Sequence, residues 1–147
     1  MLEKSKPSLR NFMGEGVYDG FSIAKATSEH ANILQHNLRD SDVRECIIHG
    51  ASPFRALMSS IREKGENYTC IINGEPICMF GVNSIMQNMI GRIWLLGSYE
   101  IEKRGRKFIR WSQSVVNYYQ EQYYQLENVV PADHKHTIDW LQFLGFE

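Results

Sequence analysis

The pair Asn73-Gly74 constrains this chain more than any other two residues, because it stands between two runs with strand character, Tyr68 to Ile72 and Glu75 to Asn83. Both residues tolerate the positive φ that a two-residue hairpin turn demands, so the spacing predicts an antiparallel pair closed at that point. Pro76 cannot donate to a ladder, but one residue past the turn its missing N–H faces away from the partner strand. The second run is apolar on both faces, with Ile77 and Met79 on one and Cys78, Phe80 and Val82 on the other, which predicts a strand inside a sheet. Gly81 is expected to mark a bulge. The turn sets Cys70 opposite Ile77 and sends Cys78 to the other face, so no bridge between Cys70 and Cys78 is expected. With Cys46 the cysteines number three, an odd count without metal-type spacing, which fits free thiols in a reducing compartment.

Chemistry concentrates in a second stretch, from Gly91 to Tyr123. There the short strand Ile93-Trp94-Leu95-Leu96 breaks at Gly97-Ser98 and feeds a basic helix. A strand that hands over through Gly and Ser to a helix start gathers unpaired backbone N–H groups and a positive dipole end, which suits a phosphate. Arg104, Arg106 and Lys107 lie close by, and Gly105 would let backbone approach a ligand with no Cβ in the way. The spacing fits a pyrophosphate cradle and fits equally an ordinary strand-to-helix connection with a solvated first turn. The helix is expected to be long, with Ile101, Phe108, Trp111, Val115 and Tyr119 on one stripe.

The rest of the chain supplies helices, short strands and exclusions. Residues 1–20 hold Pro7, Gly14, Gly16 and Gly20 without a period and are expected to form an arm, with one domain over residues 21–147. Phe21 to Ala26 alternates as a first strand, and Thr27 or Ser28 caps a helix carrying Ala31, Leu34 and Leu38 on one face. Asp40 or Ser41 opens a second helix with Val43 and Ile47 as its apolar residues, stopped by Gly50. A third runs from Ser52 as N-cap and Pro53 as first helical residue through Phe54, Leu57, Met58 and Ile61 to Lys64-Gly65. Leu126 to Val130 reads as a fifth strand closed by Pro131, and Thr137 to Leu144 as a last helix ended by Gly145. Sixteen Lys and Arg against seventeen Asp and Glu give a net charge of -1, so no global basic field asks for nucleic acid or anionic lipid. No apolar run reaches the roughly 18 residues of a membrane span, and the start lacks an apolar signal core, which predicts a soluble, non-secreted protein. The turn His134-Lys135-His136 has no carboxylate or Cys at ligand spacing, so no metal site is expected. Tyr118, Tyr119, Tyr123 and Tyr124 with Trp111 lack interleaved basic residues, which favours core and a protein contact surface over base stacking.

The order strand, helices, three antiparallel strands, helix, strand, helix is an α/β pattern with few topologies. It is the order of the GNAT acyltransferase fold, a mixed central sheet flanked by helices. At residue level Pro76-x-x-Met79-Phe80-Gly81-Val82, Trp94-Leu95-Leu96-Gly97-Ser98, Phe108-x-Arg110, Leu126-Glu127-Asn128 and Trp140-Leu141-x-x-Leu144-Gly145-Phe146 resemble the GNAT-like internal virion proteins of short-tailed bacteriophages and their prophage relatives, over about Ile23 to Phe146. The resemblance implies a fold whose last strand is missing, location in the virion or host cytoplasm, and other virion proteins as partners. A sheet left one strand short would offer them an edge.

The same resemblance implies acetyl-CoA or CoA as ligand, bound through Leu96, Ser98, Arg104, Gly105, Arg106, Lys107 and His134. Acyl transfer also needs a strand edge for the pantetheine amides, a base to free the amine and an acid for the departing thiolate. Glu100 and Glu45 are the candidate bases, or else ordinary surface carboxylates. This sequence departs from the working enzymes at two places. They show an Arg or Gln followed by two spaced glycines, where Arg104-Gly105-Arg106-Lys107-Phe108 keeps one glycine; and the tyrosine that commonly serves as acid falls on Leu141. Two readings follow, a catalytically weak or inactive virion or assembly component and an active N-acetyltransferase for a small amine or a protein amine.

Overall fold

Asn73 and Gly74 adopt φ of 51° and 80° and close the expected hairpin. The computed structural model describes residues 21–62, 65–130, 133 and 135–147, the side chain of residue 136 excepted, so the expected arm over residues 1–20 lies outside the described residues. In chain order the elements are β1 (Ser22–Lys25), α1 (Ser28–Leu34), α2 (Asp40–Ile48), α3 (Pro53–Arg62), β2 (Gly65–Ile72), β3 (Glu75–Met86), β4 (Ile90–Gly97), α4 (Glu100–Arg104), α5 (Arg106–Gln122), β5 (Gln125–Glu127) and α6 (Lys135–Phe143). The five strands form one sheet in sequence order. Every neighbouring pair is antiparallel except β4 and β5, which are parallel. That parallel step requires a crossover, and α4 with α5 supplies it.

Because β3 is apolar on both faces, it carries a core on each. On one side α1, α2 and α3 bring Ala31, Leu34, Cys46 and Leu57 down on Met79 and Leu96. Thr27 starts this layer with a capping box: its hydroxyl accepts from His30 N–H at 3.2 Å, and His30 Nδ1 accepts in return from Thr27 N–H at 3.3 Å. Ser52 Oγ caps α3 by accepting from Arg55 N–H at 3.3 Å. On the other side α5 lays Trp111, Val115, Tyr118 and Tyr119 over Cys70, Phe80, Val82 and Ile93, with Leu141 of α6 in the same cluster. Trp111 is the centre of that layer, with Phe80 edge-on at 4.9 Å and Phe21 stacked at 5.7 Å. Tyr118 and Tyr119 are buried while Tyr124 is exposed, the expected division between core and surface.

Four expectations change in the structure. The second helix buries Asp42 and Cys46, and Ile47 is 64% exposed, because α2 turns its first-turn carboxylate toward the end of β4. The long basic helix is two helices, broken at Gly105, whose φ of 49° and ψ of -117° no α-helix contains. Gly81 is not a bulge; it pairs in register with Asn67 and Trp94, and a Cβ there would collide with Asn67 Oδ1 and Glu66 O. The bulge lies at Ile77: Ile71 pairs with Pro76 while Cys70 pairs with Cys78, leaving Ile77 as the extra residue. The Ile77 carbonyl accepts from both the N–H and the Oγ–H of Ser98, each at 2.9 Å, which ties the bulge to the end of β4. Cys70 and Cys78 therefore face one another across the strands, against the expected register.

Both of these thiols are nonetheless free, as is Cys46. Burial pushes Cys46 up to about 11, and burial together with the neighbouring Cys70 pushes Cys78 well above the ordinary thiol range. All three thiols are buried, so the folded chain should resist alkylation at each of them and react at all three once unfolded without reductant, as mass spectrometry would count. A dry Cys70–Cys78 bridge surviving unfolding would contradict this. Trp111→Ala should cost about 3–5 kcal/mol in chemical denaturation, the usual range for emptying such a site.

Candidate functional site

The place where the sheet opens is set by how short β5 is. It pairs with β4 only over Ile90 to Arg92, so among the described residues no strand lies beside the outer edge of β4 from Ile93 to Gly97. Asn128, just past β5, reaches across the start of this notch and donates from Nδ2 to the Ile93 carbonyl at 2.8 Å. At the far end Gly97 N–H donates to Asp42 Oδ2 at 2.9 Å, and Gly97 O accepts from Arg39 N–H at 2.9 Å. Gly97 therefore points both backbone groups away from β3. In an antiparallel pair that direction alternates, so Ile93, Leu95 and Gly97 face the notch while Trp94 and Leu96 bond to β3. Between the two occupied ends only Leu95 is left without a partner on this edge among the described residues.

The occupant of the far end is the link from α1 to α2. Leu38 forms an isolated antiparallel bridge with Ser98, and Asp40 N–H donates to the Tyr99 hydroxyl at 3.1 Å. Arg39 grips Asp42 through two bonds, Nε to Oδ2 at 2.9 Å and an Nη to Oδ1 at 3.2 Å, and extends to Glu102 at 3.7 Å. Asp42 is only 4% exposed. Burial pushes its carboxyl above the ordinary aspartate range, against the opposing pull of the Arg39 guanidinium and the Gly97 N–H.

Past Gly97 the chain divides the expected cradle into two places. Ser98 is buried and spends both its N–H and its hydroxyl on Ile77. Leu96 is buried against Met79 and directs its amide toward β3, so the residues that present backbone to the notch are its neighbours. The first turn of α4 carries Glu100 and Glu102, charges that repel an anion from that helix start. The second place is more favourable: α5 begins at Gly105 with no side-chain cap, Arg106 and Lys107 are exposed, and neither has an ion pair among the described residues. Open backbone N–H groups, a positive dipole end and two cations meet there. A Cβ on Gly105 would touch nothing within 4 Å. Arg104 lies just before the break and leans toward Glu100 at 3.8 Å.

Of the candidate proton carriers, Glu100 is solvent-facing and bonded to Lys103 at 2.8 Å; that bond first, and Arg104 more weakly, hold its carboxyl below the ordinary range. A base that must take a proton near neutrality needs the opposite shift. Glu45 is half-buried one turn beyond Asp42, and it is Asp42 that α2 delivers to the end of β4. Leu141 is buried in the α5-side core. His134 lies outside the described residues. Among those residues no cluster of three or more His, Cys, Asp or Glu side chains could hold a metal ion, and no helix is long and apolar enough to cross a membrane.

The chain superposes on solved structures over most of its length. A GNAT-family acetyltransferase from Bacillus anthracis superposes with a TM-score of 0.64 at 12% identity, covering 86% of this chain and 80% of that one. The fold is the GNAT acetyltransferase fold. An aminoglycoside 6'-acetyltransferase type Ii gives a TM-score of 0.61 at 14% identity over 86% and 83% of the two chains. The ribosomal-protein-S18-alanine N-acetyltransferase of Escherichia coli gives 0.60 at 13% identity over 86% and 77%. No protein-family model and no curated protein matches the sequence.

Within this GNAT fold, the residues missed by sequence reasoning are Arg39, Asp42 and Asn128. Only contacts more than thirty residues apart along the chain, such as Asp42 with Gly97 and Asn128 with Ile93, reveal them. The raised Asp42 value has a defined consequence. The folded chain holds this proton better than the unfolded one, so the contribution of Asp42 to stability is fully present below about pH 3.8, the ordinary aspartate value, and is lost as pH rises through its raised folded value. Relative to Asp42→Asn, the wild type should gain thermal stability as pH falls through that window. A difference in Tm that stays constant from pH 7 to 4 would contradict the assignment.

Proposed function

We propose that this chain is an acetyltransferase-like protein of a phage or prophage, a catalytically weak or inactive component of the virion or its assembly that works among other phage proteins in the particle or the host cytoplasm. The phage context rests on the sequence resemblance. The weak chemistry rests on one observation above all: the strand edge that would bond the pantetheine amides of acetyl-CoA is taken at Gly97 by Arg39 and Asp42. The proton chemistry points the same way. Leu141 cannot protonate a thiolate, which leaves Tyr99 or solvent, and Glu100 is held ionised by its cations.

An active N-acetyltransferase is the second reading, and the start of α5 favours it. Gly105, Arg106 and Lys107 would receive the diphosphate of CoA, with Arg104 beside them, even without the second glycine. On our account this contact survives as weak binding. His134, the residue before Lys135 in the sequence, is proposed on the resemblance alone as a further contact for the pantetheine arm.

General acid catalysis is usually worth about 10²-fold to 10⁴-fold, so a chain lacking its acid should turn over far below an ordinary enzyme. With acetyl-CoA and a panel of amines, thiol release should not exceed hydrolysis. Release at an ordinary rate, on the order of 10 per second, would establish the enzyme reading instead. In the same samples Arg106→Ala with Lys107→Ala should abolish what CoA binding calorimetry detects; submicromolar binding that survives the double substitution would place the ligand elsewhere.

A further inference from the structure

The link from α1 to α2 holds the edge of β4 more firmly than a connection between two helices requires. Arg39 N–H and the Asp42 carboxylate satisfy the carbonyl and the N–H of the same residue, Gly97, which is the pattern an added strand or an amide-bearing ligand would make. The bridge from Leu38 to Ser98 and the bond from Asp40 N–H to the Tyr99 hydroxyl extend the seal past that residue toward α4. The bidentate Arg39 grip then fixes the carboxylate that makes one of the bonds.

We propose that Leu38 to Asp42 is an autoinhibitory strap: it stands in for a ligand on the β4 edge, and an extended amide chain, the pantetheine arm of CoA, pairs with Leu95 and Gly97 only when the strap is released. This rests on the reading of the α5 start as a diphosphate site. The strap replaces the two hydrogen bonds a ligand would make at Gly97, so a ligand gains there only what exceeds them. It follows that the wild type recognises the nucleotide end of CoA and gains little from the rest of the molecule.

The strap can be opened without distorting the backbone. Arg39 has a φ of -59° and a ψ of 149°, which suits proline, so Arg39→Pro removes the N–H bond to Gly97 O and the guanidinium at a compatible position. Asp42→Ala removes the acceptor of Gly97 N–H. Calorimetric titration of the full chain with CoA and, separately, with 3′-phosphoadenosine 5′-diphosphate, which lacks the pantetheine arm, separates the two ends. In the wild type the two ligands should bind alike. In Arg39→Pro with Asp42→Ala, CoA should bind at least tenfold more tightly while the nucleotide is unchanged; Arg39→Pro alone, the milder variant, should show part of the gain should the double variant not fold. A nucleotide that binds with no selective gain for CoA in either variant overturns the strap and leaves the diphosphate site standing. Failure of both ligands to bind any of the proteins overturns the diphosphate site and the strap with it.

Discussion

Taking an ionised carboxylate out of water is costly unless hydrogen bonds replace the lost hydration, and the end of β4 is built around one that has them. Asp42 Oδ2 accepts from both Arg39 Nε and Gly97 N–H, and Oδ1 accepts a second guanidinium nitrogen. These bonds place the start of α2 against the last residue of β4. Remove the carboxylate and three donors, two on the Arg39 guanidinium and one the Gly97 backbone N–H, lose their acceptor together. The direction of the Asp42 shift shows that the compensation is incomplete. A buried pair of this kind is weak evidence for stability and better evidence that one arrangement of the α1–α2 link is selected over others.

The rest of the sheet makes that contact meaningful. Ile77, as an extra residue in β3, offers its carbonyl to Ser98, and β4 ends at Gly97, the residue before. Among the described residues, the brevity of β5 leaves the outer edge of β4 without a strand past Arg92, with Asn128 at its beginning and Arg39 and Asp42 at its end. Gly105 then turns the chain so that α5 starts afresh with its N–H groups and two cations exposed. A strand edge and an uncapped, cationic helix start thus lie on consecutive parts of the chain, with the edge closed from within at Gly97 and the helix start exposed.

Much of the fold was legible because it is written in local chemistry. Asn73-Gly74, the Thr27 cap, and Ser52 followed by Pro53 each act over a few residues, and each fell where expected. The strand order could be read because few topologies connect such a sequence of elements. What could not be read depends on distant partners. The cysteine register failed because the bulge at Ile77 is demanded by Ser98, some twenty residues on. The apolar stripe from Ile101 to Tyr119 runs unbroken across Gly105, so the break between α4 and α5 leaves no trace in periodicity. Asp42 was overlooked because an aspartate in a first turn already has an ordinary explanation in the helix dipole. Gly105, Arg106 and Lys107 stand together at the start of α5, whereas Leu96 and Ser98 direct their polar groups toward β3.

Amide hydrogen exchange at two neighbouring positions tests this account most directly, since protection reports whether a backbone N–H is bonded in the native state. If Gly97 is sealed by Asp42 and Leu95 faces an open notch, the Gly97 amide should exchange only with large-scale unfolding and the Leu95 amide by local fluctuation, orders of magnitude faster. A Gly97 amide that exchanges as readily as that of Leu95 would contradict the closed edge on which the functional reading stands.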